Sequence, residues 1–144
     1  MSDHRAIAIL DAFTTALLDL PSVGDNVFKG RIQDFENTPS HSIYLGQSTA
    51  EINNTSIVDQ AQIIRDEITV AGREEELDAE LLNIHREAYV AIMADITLGL
   101  PFVIDTFLVG MAEPDYNDEG RYAIQTAVFT WQVNYRHSYL DPGA

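Results

Sequence analysis

Apolar positions in this chain change period several times, and each change marks an element. Ala6, Leu10, Phe13, Leu17 and Leu20, with Ile7 and Thr14 alongside, recur at three- and four-residue steps. This spacing predicts an amphipathic helix over residues 3–20, with Ser2 as N-cap and Pro21 and Gly24 as its stop. A short strand fits Val27–Ile32, after the punctuation of Asp25 and Asn26. From Gln33 to Gln60 the chain is mostly polar, broken by Ser42-Ile43-Tyr44-Leu45, which reads as one strand in a long binding arm.

Residues 61–71 alternate, Ile64, Ile68 and Val70 against Arg65, Glu67 and Thr69, as in a strand with one wet face. After Gly72 the acids Glu74, Glu75 and Glu76 suit the positive end of a helix dipole. The series Leu77, Leu81, Ile84, Ala88 and Ile92 then predicts a long helix that Gly99 and Pro101 terminate. Phe102–Met111 is apolar on both faces, which predicts a strand inside the sheet under the helices. Glu113–Gly120 reads as a hairpin loop, and Tyr122–Tyr135 as a strand with Ala127, Phe129, Trp131, Val133 and Tyr135 on one side. At fourteen residues that strand far exceeds the usual length of about five or six, so the hairpin is expected to reach beyond the body. The fold class expected is α+β: one domain over residues 1–144, with a mostly antiparallel sheet, two main helices and a long C-terminal β-hairpin.

Composition narrows the function. The 144 residues are 46% hydrophobic and 22% charged, near globular averages. The 23 acids against 8 bases leave a net charge of −15, spread as ten acids in residues 1–72 and thirteen in residues 73–144. Gripping nucleic acid or an anionic membrane needs clustered cations, and the only lysine is Lys29. The absence of cysteine removes disulfides, thiolate metal sites and cysteine nucleophiles. The N-terminus lacks the basic and apolar stretches of a signal peptide, and no window suits a membrane span, so a soluble cytoplasmic or particle-borne protein is expected.

Enzyme signatures are missing: the chain has no G-x-S-x-G, G-x-x-x-x-G-K, G-x-G-x-x-G or H-E-x-x-H. His4, His41, His85 and His137 fall in four different elements, and His85 reads as a helix-flank surface group. Asp115-Tyr116-Asn117-Asp118-Glu119-Gly120 copies the opening of a calcium loop, but the twelfth position, a bidentate Glu in such loops, is Thr126. Neither a metal nor an organic cofactor is expected. Asn53-Asn54-Thr55-Ser56 holds two overlapping glycosylation sequons, without a secretory signal to use them. One enzymatic or ligand-binding alternative stays open: a pocket between the second helix and the sheet, if Asp66, Asp105 and His85 converge.

The order helix, small strand, polar arm, strand, long helix, long hairpin and short tail resembles the tail terminator proteins of long-tailed bacteriophages. These are also called minor tail protein U or tail completion proteins. Leu18-Asp19-Leu20-Pro21-Ser22-Val23 ahead of Val27-Phe28-Lys29-Gly30-Arg31 carries the likeness, with the Pro39–Leu45 strand entry. So does the ending Val133-Asn134-Tyr135-Arg136-His137-Ser138-Tyr139-Leu140-Asp141-Pro142. The resemblance implies no catalysis. It implies a homohexameric ring in the virion that caps the tail tube, stops its growth and meets the head connector, with DNA passing through unbound. A neck or head-closure protein is the sibling reading.

Six copies would sum to 6 × −15 = −90, so charge partners are expected across subunits. The scarce cations available are Lys29, Arg31, Arg121 and Arg136, each equally able to pair within its own subunit. Asp34, Glu36, Tyr44 and Glu51 on the arm of about residues 33–60, and Tyr139 in the tail, complete the candidate interface set. Ring closure joins two different patches, here the arm and the long hairpin.

Overall fold

In the computed structural model, which describes residues 3–30, 38–53, 56–117 and 123–144, alternation and helical spacing settle against each other as one α+β unit. Helix α1 spans Arg5–Ala16 and α2 spans Glu74–Met93. The strands are β1 Val27–Lys29, β2 Ser40–Ile52, β3 Ile57–Gly72, β4 Val103–Met111, β5 Asp115–Asn117 and β6 Ala123–Ser138. They form one sheet in the order β1-β2-β3-β6-β4, with β5 also pairing with β6. The β1–β2 pair is parallel and every other pair antiparallel.

The predicted apolar series becomes the core. Leu77, Leu81, Ile84, Ala88 and Ile92 of α2 are all buried. Ile9, Phe13 and Leu17 join Ala88 and Ile92 over Ile43, Ile64, Trp131, Val133 and Tyr135. Phe13 meets Trp131 edge to face, centroids 5.7 Å apart. A second cluster sets Leu77, Leu81 and Ile84 on Ile68, Val70, Ala127 and Phe129. The helices thus cover the even-numbered side of β3 and the odd-numbered side of β6. Among the described residues nothing covers the opposite face, where Arg65, Glu67, Thr126, Thr130, Gln132 and Asn134 stand.

Several expectations shift. α1 is shorter than residues 3–20 and its cap is His4, whose ring Nδ1 accepts from the Ala6 amide at 3.0 Å. The proposed cap Ser2 lies outside the described residues, as do Arg31 and Ile32 of the first expected strand. The buried stripe of α1 turns onto Ile9 and leaves Ile7 exposed. α2 stops a turn before Gly99 because the Asp95 carboxylate accepts from the Thr97 hydroxyl (2.6 Å), the Thr97 amide (3.0 Å) and the Gly99 amide (3.1 Å). Those bonds hold Asp95 below the usual carboxylate range, the Thr97 hydroxyl contributing most.

The polar arm is largely a β-hairpin. β2 runs through Ile52 and pairs with β3 from Ser40↔Thr69 to Ile52↔Val58. Its outer half is exposed on both faces, so ladder hydrogen bonds rather than burial hold it extended. β4 is not interior: it is the sheet's edge, and Ile104, Phe107, Val109 and Met111 remain exposed. β6 is the interior strand instead, paired over its whole length with β3 and on its other side with β4 and β5. Its length is absorbed inside the sheet rather than reaching out of it.

Candidate functional site

The ladder decides which candidate residues meet. Glu51, Asp59 and Arg136 share one row, through the register pairs Glu51↔Asp59 and Asp59↔Arg136. Arg136 donates from Nε to Asp59 Oδ1 at 2.8 Å, and Asn53 Nδ2 donates to Asp59 Oδ2 at 3.0 Å. Lys29 Nζ lies 2.6 Å from Asp11 Oδ1 on α1. These two cations therefore pair within their own subunit, through exposed contacts of small energetic weight. The Tyr44 hydroxyl donates to Glu67 Oε2 at 3.4 Å. Tyr139 is exposed, and its amide donates to the Ser56 carbonyl at 2.8 Å, tying the tail to the β2–β3 turn. Arg31, Asp34, Glu36 and Arg121 lie outside the described residues.

An open groove of about 550 Å³ crosses the end of the sheet and is lined by Thr49, Glu51, Asp59, Ile104, Asp105 and Asn134 among others. None of the described residues that line it is basic, and three are acidic, one of them, Asp59, being the partner of Arg136. Such a surface repels phosphate backbones. Arg65 also stands on the helix-free face. A Cβ at Gly46 would collide with its guanidinium, whose Cζ lies 3.0 Å away, so Gly46 is what lets Arg65 lie across β2. Sequence reading passed over Arg65 as one polar residue of an alternating strand.

The three groups of the pocket alternative do not converge. Asp66 is fully buried on the helix-covered face, whereas Asp105 stands opposite Asn134 on the helix-free face and accepts from its Nδ2 at 2.8 Å. His85 is not a surface group either. Its ring stacks on Phe129 with centroids 3.9 Å apart and planes 7° apart, and its Nδ1 is buried without a partner. Burial pushes its pKa below the ordinary histidine value; Asp66 pulls it up and His41 pushes it further down.

A residue that sequence reading missed lies beneath. His41 on β2 and Asp66 on β3 are both fully buried, with His41 Nδ1 2.8 and 2.9 Å from the two Asp66 oxygens. The signal was present: Asp66 falls between Ile64 and Ile68 on the apolar side of its strand, and His41 is two residues from buried Ile43. The calcium-like opening also resolves differently, since Asp115 and Asn117 belong to β5 and Thr126 stands across from Asp115 in the ladder. Among the described residues no cluster of three or more His, Asp or Glu is gathered as metal ligands, and no helix is long and apolar enough to cross a membrane. No family model matches the chain, and no curated protein matches it.

Proposed function

We propose that the chain is a structural assembly subunit of the tail-terminator kind. Copies of it close a ring that caps a phage tail tube, stops its polymerisation and presents a surface to the head connector. The observation that carries this reading is the edge strand β4, whose Ile104, Phe107 and Val109 are 39–55% exposed, along a sheet whose one face no helix covers among the described residues. Apolar surface grouped in this way marks a protein–protein contact. The net charge of −15 and the acidic groove support the second half of the reading, in which DNA threads the ring without adhering.

Native mass spectrometry with negative-stain imaging tests it. Sixfold rings are the expected outcome, either in the free chain or on tail tubes lacking their terminator. A closed dimer indifferent to tube protein overturns the reading. Binding to portal-bearing heads instead of tubes would move the protein to the neck.

A further inference from the structure

We propose that copies join edge to edge into one continuous sheet, the free edge of β2 in one copy pairing antiparallel with β4 of the next. This contact rests on the ring reading, since it requires a second copy.

Among the described residues both edges are free, and they lie at the same height. β1 covers β2 only at His41–Ile43, so Leu45–Ile52 has an outer side with no strand against it among the described residues. Tracing registers across the sheet gives the rows Ala50–Gln60–Tyr135–Val103 and Thr49–Ala61–Asn134–Asp105. Two more are Ser48–Gln62–Val133–Thr106 and Leu45–Ile64–Trp131–Leu108. The free part of β2 therefore sits level with β4, strand for strand.

Strand direction agrees. Along β2, β3, β6 and β4 every neighbour is antiparallel, so the directions alternate. A rotation about an axis roughly along the strands preserves each strand's direction and keeps the helices on one side. The β2 of a rotated copy then continues the alternation beside β4, which is the geometry of a heterologous contact that closes. Bulges limit the paired stretch, at Leu45/Ser48 in β2 and at Val103/Asp105 and Leu108/Gly110 in β4. Level straight pairing then remains at Ser48 with Thr106 and at Thr49 with Asp105.

Charge is complementary at Arg65, while Glu51 on the same stretch falls in the row of Asp59 and Arg136, beyond the end of β4. On the β2 side, Arg65 lies across Gly46 and pairs with no carboxylate among the described residues. On the β4 side there is no Lys or Arg from Phe102 to Asn117, while Asp105 and Glu113 supply carboxylates. Native edge strands are commonly guarded by lysine or proline, and β4 contains neither.

The cysteine-free chain permits a direct test. Thr49→Cys and Asp105→Cys place single thiols in one row and on one face of the two edges, where paired strands bring Cβ atoms within disulfide reach. In the assembled preparation, mixing the two variants under mild oxidation should give a cross-linked pair that neither gives alone. Arg65→Glu should weaken that band and Arg65→Lys should retain it. Cross-linking of Asp105→Cys with itself would mean that the edges meet isologously and would overturn the proposal. Rings that form without the mixed cross-link overturn this contact and leave the ring reading standing. A chain monomeric with and without tail tubes overturns both.

Discussion

At the scale of the residue, the His41–Asp66 pair is a polar liability set deep in the core. Both side chains are fully buried, and Asp66 has both oxygens on one imidazole nitrogen. Removing one partner strands the other in an apolar setting. Asp66→Ala is expected to cost about 3–5 kcal/mol, read from urea unfolding midpoints, while a His41→Leu/Asp66→Leu double variant recovers most of that loss. His85, stacked on Phe129 nearby, gives a pH signature. The unfolded chain takes its proton near the usual pKa of about 6.5, whereas the half-buried ring takes it only at lower pH. The neutral ring's contribution to stability is therefore complete above that value and is lost as pH falls through the folded pKa. His85→Phe keeps the stack without the titration, so its melting temperature should gain on wild type progressively below pH 6.5. A constant offset across that range would refute the assignment. Asp66 was legible in principle, as an acid on the apolar side of a strand. His41 became meaningful only once β2 and β3 were paired, because the contact spans 25 residues.

At the scale of the element, α2 separates its two sides sharply. Leu81 is 2% exposed and the adjacent Leu82 is 51% exposed. Leu81→Ala is expected to cost about 2–5 kcal/mol, because the cavity opens against Val70 and Phe129, whereas Leu82→Ala should stay within about 0.5 kcal/mol. Equal losses in urea titrations would show that Leu82 is also covered in solution. The periodicity of α2 and the inward side of β6 were readable from sequence because burial there follows a single period. β2 was not, since Gln47–Glu51 faces water on both sides and leaves no apolar alternation. β4 misled for the opposite reason. Two apolar faces describe an interior strand and equally an edge strand awaiting cover, and only the pairing order distinguishes them.

At the scale of the whole molecule, charge opposes assembly while apolar surface favours it, and salt separates the two terms. Each copy carries −15, and the ion pairs formed by Lys29 and Arg136 are spent inside the subunit. Long-range repulsion between copies then acts over the Debye length, about 10 Å at 0.1 M salt and about 3 Å at 1 M. Burial of Ile104, Phe107 and Val109 at an interface is not screened in this way. Raising the salt across that range should therefore shift the free chain toward larger assemblies, as read by light scattering at fixed protein concentration. A contact held mainly by arginine–carboxylate pairs would respond in the opposite sense, dissociating as salt rises. The Arg65→Glu variant separates the contributions further: it lacks the one attractive charge proposed at the junction, so its remaining association should show a steeper rise with salt than wild type. If wild type instead comes apart with added salt, apolar edge burial is not what drives the assembly, and the interface must be sought among the charged residues.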